Sequence, residues 1–136
     1  MLIPPLALSV VMCDAVHRDW ETRKWYILGA FNMLRFSAFP SIFPKIEVFL
    51  SLAEVNGAYD LRARIVDVNE ADNPIHESGG QLEGRNPLAL YEFTLSLVNV
   101  QFPEAGEYRL QILVGAEIIA ERKLVVRQIS GGSNDG

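Results

Sequence analysis

The sequence predicts an all-β fold, an antiparallel β-sandwich of seven or eight short strands with no disulfide. Three observations carry this expectation. In residues 91–97 the apolar Tyr91, Phe93, Leu95 and Leu97 are separated by Glu92, Thr94 and Ser96. A period of two puts one face of a strand in a core and the other in water. The alternation recurs over residues 107–114, with Tyr108, Leu110, Ile112 and Val114 on one side, and Gly115-Ala116 then offers a turn into a returning strand, 117–127. Similar short runs lie between Gly, Pro and Asn clusters along the chain, and no stretch has the period of an amphipathic helix.

Taken in order, residues 6–13 read as a first strand behind the stiff Pro4-Pro5 pair. Residues 14–23 are polar and read as a loop or hairpin tip. Residues 24–36 read as one strand with both faces apolar, so it is covered on both sides or lies at an interface. Gly29 in its middle marks a bulge or a close backbone approach. Pro40 and Pro44 make 39–44 an irregular connection, since proline cannot donate to a central ladder. The third strand, 46–52, turns at Asn56-Gly57, a strong hairpin signal, into a fourth strand, 59–68. Residues 69–87 are polar and rich in Gly, Asn and Pro, with room for one short edge strand and a turn at Ser78-Gly79-Gly80. A single domain over 1–129 is expected, with a disordered tail at 130–136, where nothing apolar is available to bury.

Length and composition narrow the function classes. At 136 residues the chain buries a core without metal or disulfide staples. Residues 1–58 carry five basic and five acidic side chains, residues 59–136 seven and twelve. With no basic stripe the chain is no candidate for nucleic acid, whose binding rests on lysine and arginine releasing counterions. Cys13 is the sole cysteine, which favours a reducing, cytoplasmic setting. The apolar start lacks a basic flank and a small-residue cleavage site, and is too short to span a bilayer, so it predicts a strand rather than a signal or membrane segment.

Two resemblances follow. Glu104-Ala105-Gly106-Glu107-Tyr108 resembles the approach to the sixth strand of immunoglobulin-like domains, which implies a corner in which the Tyr108 hydroxyl bonds back to nearby backbone. Leu110 stands where such domains often carry a cysteine. The order Cys13-Asp14, Ile27-Leu28-Gly29-Ala30-Phe31, Phe39-Pro40 and Phe102-Pro103 before Ala105-Gly106-Glu107-Tyr108-Arg109 is similar to a family of small bacterial proteins with no assigned activity. That resemblance implies a bacterial origin and adds no catalytic residue.

Constellations for chemistry are sparse. Cys13, Asp14 and His17, with His76 as a distant fourth, are competent metal ligands or a cysteine–histidine pair, but no second ligand pair accompanies them. Asp14 raises rather than lowers a neighbouring thiol's pKa, so Cys13 reads as a small buried hydrophobe. No nucleophile, base and orienting group can be assembled, and neither an enzyme nor a cofactor or metal is expected. Arg62 and Arg64 point outward, either to pair with acids across the sheet or to hold a small ligand beside residues 69–87. The anomaly is aromatic: Trp20, Trp25, Phe31, Phe36, Phe39, Ile42, Phe43 and Phe49 crowd one short stretch. Either they close the ends of the sandwich, or Trp20, Trp25, Phe31, Phe39, Ile42, Phe43 and Phe49 form a surface for self-association or a protein partner.

Overall fold

The computed structural model describes residues 3–130. Alternating apolar runs produce ten strands: β1 (Leu6–Cys13), β2 (Ala15–Arg18), β3 (Trp25–Leu28), β4 (Met33–Phe36), β5 (Ser41–Ala53), β6 (Gly57–Asp67), β7 (His76–Gly84), β8 (Tyr91–Phe102), β9 (Gly106–Val114) and β10 (Glu117–Gln128). They form a three-stranded sheet in the order β1-β5-β8, a five-stranded sheet in the order β4-β10-β9-β6-β7, and a ribbon, β2-β3. All pairs are antiparallel except β4 with β10, which is parallel and matches Met33 to Val125.

One core lies between the two larger sheets. Val10, Met12, Ile46, Val48, Leu50 and Leu97 come from the three-stranded sheet and meet Leu61, Ala63, Ile65, Leu110, Ile112 and Leu124 from the five-stranded one. Each large side chain fully withdrawn from water contributes about 1.5–3 kcal/mol. One end of this core is aromatic. Ring centroids lie 5.8 Å apart for Phe31–Phe43, 6.4 Å for Phe36–Phe43, 5.8 Å for Phe36–Phe102 and 5.2 Å for Phe102–Tyr108. The Tyr108 hydroxyl donates to the Glu104 carbonyl at 2.7 Å, the backbone bond that the corner motif implies. Leu110, two residues on, is fully buried in the core.

Ten strands among the described residues exceed the seven or eight that the sequence predicts, for local reasons. The single strand expected over 24–36 is two strands, broken after Leu28 at Gly29, whose φ is +67°. Only glycine enters that region without a steric penalty, and the Asp14 side chain lies where a Cβ would sit. β3 therefore pairs back onto β2, inside the segment that reads as a loop, while β4 leaves to join β10.

The sheets correct three further expectations. Asn56-Gly57 is not a hairpin, because β5 and β6 belong to different sheets. Residues 41–44 belong to β5 despite Pro44, since β1 pairs with β5 only from Glu47 onward and the strand has one neighbour beside the proline. Proline is tolerated where no ladder bond is required of it. Ser78-Gly79-Gly80 is not a turn but the middle of a nine-residue edge strand, β7. Of the tail expected at 130–136, all but Ser130 lies outside the described residues.

His76, at the start of β7, is half-buried, and burial holds its imidazole below the usual value of 6.5. Folding therefore disfavours the protonated ring. Above pH 6.5 both states are neutral and the residue contributes no pH dependence. As pH falls through 6.5, the unfolded chain takes up a proton that the folded chain resists, and stability declines until the lower folded pKa is passed. The thermal midpoint of His76→Gln is expected to fall less than that of the parent between pH 7.5 and 5; parallel curves would disprove the assignment. Asp19, held low by the Thr22 and Glu21 amides, and Glu107, held low by Arg109, act only at more acid pH.

Candidate binding surfaces

The β2–β3 ribbon lies over the outer face of the three-stranded sheet. Its anchor is Trp25, edge-on to Phe49 at 5.3 Å, with the Arg18 guanidinium 4.8 Å from the indole centroid. Phe49 points outward from β5, as its strand parity requires, yet is only 6% exposed beneath this cover. At the ribbon's tip, Asp19 accepts bonds from the amides of Glu21 (2.8 Å) and Thr22 (3.0 Å), and Arg23 turns the chain at φ +65°. This turn lifts Trp20 into solvent, 79% exposed.

The remaining aromatics divide. Phe31, Phe39 and Phe43 are half-buried and packed on the core. Phe43 points inward because alternation is reset beside it: Asn99, opposite Pro44, has φ +55°, so Leu97 and Val100 both face the core. Ile42 consequently points out and is 56% exposed. The structure thus gathers Phe31, Phe36, Phe39 and Phe43 into an internal cluster, and leaves Trp20 and Ile42 outside it. The surface expected from the sequence leaves out Tyr26 and Leu28, which are exposed on the opposite side of the ribbon from Trp25, although a strand apolar on both faces is the expectation there. Period two in a four-residue strand carries the signal, once the break at Gly29 is recognised.

The cysteine constellation does not converge on a reactive centre. Cys13 has no exposed surface, and its thiol donates to the Glu47 carbonyl at 3.4 Å. Burial, then the charges of Glu47 and Asp14, push that thiol above its usual pKa, the opposite of what a nucleophile needs. Asp14 packs over Gly29, and His17 is exposed on β2 beside Tyr26, ring centroids 6.2 Å apart. Among the described residues no three His, Cys, Asp or Glu side chains are grouped to hold a metal. Next to Cys13, Glu47 is almost buried and accepts from Ser96 Oγ at 2.8 and 3.0 Å, with Lys45 Nζ at 3.4 Å.

Arg62 takes the cross-strand role, pairing with Glu77 of β7 at 3.3 Å and donating to the Gly115 carbonyl at 2.9 Å. Arg64 bonds the Gln111 amide oxygen at 2.8 Å. Beyond them the two larger sheets part. β7 ends one sheet and β8 ends the other, and between these edges runs a cleft of about 380 Å³ lined by Leu61, Leu82, Tyr91, Phe93 and Leu95.

Its origin is a missing side chain. Leu61 pairs with Gly80 and Tyr59 with Leu82, so Gly80 occupies an inward position, and a Cβ there would meet nothing within 4 Å. Phe93 and Leu95, inward on β8, are packed on the core over part of their surface and remain half-exposed beside this gap. Two glycines in sequence give no such indication, because a glycine pair reads as a turn.

A model of a family of unknown function, DUF6941, matches residues 8–127, from within β1 to within β10. The chain belongs to that family. The match spans the ribbon, both edges of the cleft and the Tyr108 corner alike. No curated protein matches the chain.

Proposed function

We propose that the protein is a non-enzymatic interaction module, an immunoglobulin-like β-sandwich of the bacterial cytoplasm that associates with a second copy of itself through the β2–β3 ribbon. The observation that carries the reading is the outer surface of that ribbon, where Trp20, Tyr26 and Leu28 are exposed within one short hairpin. Aromatic and large aliphatic side chains are the types enriched at the centres of interfaces, and clustered exposed apolar surface on a small domain marks an interaction site. The sandwich reading is supported by the division of strands between two sheets around one core and by the Tyr108 corner at the start of β9. A lone, fully buried thiol suits a reducing compartment. The bacterial setting rests on the resemblance described above.

The test avoids Phe39 and Phe43, whose replacement by Asp would break core packing rather than probe a surface. Trp20 and Leu28 are 79% and 55% exposed, so Trp20→Asp with Leu28→Asp leaves the core untouched. Light scattering at low and high salt is expected to give a salt-resistant dimer or larger species for the parent and a monomer for the double variant. A monomeric parent, or an unchanged mass in the variant, would overturn self-association through this ribbon.

A further inference from the structure

We propose that the opening between β1 and β10 binds a small organic carboxylate, held by Arg122. The frame of this opening follows from the sheet orders. β1 ends its sheet, and β4 accompanies β10 only from Val125 onward, so residues 117–124 have no neighbour on that side. The segment between β3 and β4 crosses from one edge to the other. Phe31 N donates to the Met12 carbonyl at 3.0 Å, and the Asn32 carbonyl accepts from Val125 N at 2.9 Å. Arg122 makes a second bridge. Its ladder partner is Leu110, a buried inward residue, so its side chain leaves the inner face of β10, and Nε donates to the Val10 carbonyl at 3.1 Å. The two bridges frame about 430 Å³, within the range of small-molecule sites.

The guanidinium sets the charge of the guest. Nε and Nη1 bond the carbonyls of Val10 and Glu121, the latter at 2.8 Å, and Arg122 takes part in none of the ion pairs among the described residues. Lys123 adds no charge here, because its ladder partner is the outward Arg109 and its ammonium pairs with Glu107 at 3.4 Å. Glu121 is outward as well, engaged by Arg109 and Gln111. Asp14 packs over Gly29 in the adjoining turn and is not part of the lining. The backbone supplies donors of the same kind. An antiparallel strand turns the amide and carbonyl of one residue to the same side, so the amides of Val10 and Met12 face this opening with their bonded carbonyls. Neither amide has a partner on this side among the described residues. Donors are free and acceptors are taken. An added peptide strand must donate as well as accept, and does not fit; an oxyanion only accepts, and does. One unmatched positive charge suits a monoanion. The buried Val10 and Met12, with half-buried Phe31, make an apolar floor for the body of a carboxylate.

Benzoate is the probe, with benzamide as its neutral counterpart of the same shape and inorganic phosphate as a competing oxyanion. Amide NMR shifts at residues 10–12, 30–32 and 122 are expected to move saturably, with benzoate binding more tightly than benzamide or phosphate. Arg122→Gln should weaken benzoate about tenfold, the range for losing a hydrogen bond to a charged group, and should remove its advantage over benzamide. Lys123→Gln, which deletes the adjacent cation on the outer face, should change benzoate binding by less than about twofold, since exposed distant charges are screened. Ala30→Glu serves if the Arg122 variant does not fold: at an exposed position of the lining it supplies an internal carboxylate, and it should suppress benzoate binding with Arg122 intact. Equal affinity for benzamide or phosphate, an equal loss in Lys123→Gln, or no shifts at these residues would overturn the proposal.

Discussion

Phe102→Ala is expected to destabilise the fold by about 3–5 kcal/mol, the range for removing a buried aromatic ring from a core. Phe102 is fully buried and is where the aromatic chain converges: Phe36 packs on one side at 5.8 Å and Tyr108 edge-on at 5.2 Å. Each such pair adds about 0.5–1.5 kcal/mol beyond area burial. The site cannot collapse easily, because its neighbours come from β4, β8 and β9 and are fixed by separate ladders. For a chain of this size the thermal midpoint should fall by more than about 10 °C. Calorimetry or circular dichroism measures it, and a drop below about 3 °C would mean that the cluster relaxes into the space and is not the rigid end described here.

Gly84→Val is expected to cost about 2–3 kcal/mol by the opposite route, overfilling. Gly84 is buried at the end of β7, and a Cβ there would stand 2.6 Å from Val55 Cγ1 and 2.7 Å from Tyr91 Cζ. Val55 is itself fully buried with Leu52 and Tyr59, so it cannot swing into solvent. The Tyr91 ring is also held, accepting from the Asn86 amide at 3.3 Å through its hydroxyl. The contrast with Gly80 is direct, since two inward glycines of one strand respond with opposite signs when a side chain is added. Denaturant unfolding of Gly84→Val beside Gly80→Leu measures both. An unaltered midpoint for the Gly84 variant would show that this junction yields.

How much of this was legible in the residues depends on which side of the backbone carries the information. β8 and β9 were readable because their alternation reports a face, and Leu97, Tyr108, Leu110 and Ile112 are buried as that pattern requires. Tyr108 was readable because the residues before it resemble a corner with a definite hydrogen bond. Parity fails where it is reset. Nothing in Phe39–Phe43 signals that Asn99, far along the chain, turns with positive φ and sends Phe43 inward and Ile42 outward. Sheet membership fails as well, since Asn56-Gly57 makes the same local turn whether the chain returns to its own sheet or crosses to the other. The cleft was illegible for a simpler reason: it consists of an absent side chain, and absence has no pattern until the opposite wall is in place.

The pairing of Met33 with Val125 fixes when the protein can become itself during synthesis. β10 is the last of the described strands in chain order, and it is also an interior strand of its sheet, flanked by β4 and β9. Until it is made, β9 and β4 have no common neighbour, and the part of the core that Leu124 and Val126 fill stays open. Contacts between such distant parts of a chain form slowly and leave apolar edges waiting in the meantime. A chain that stops before Leu124 would thus display an unsealed half-domain rather than a smaller folded one.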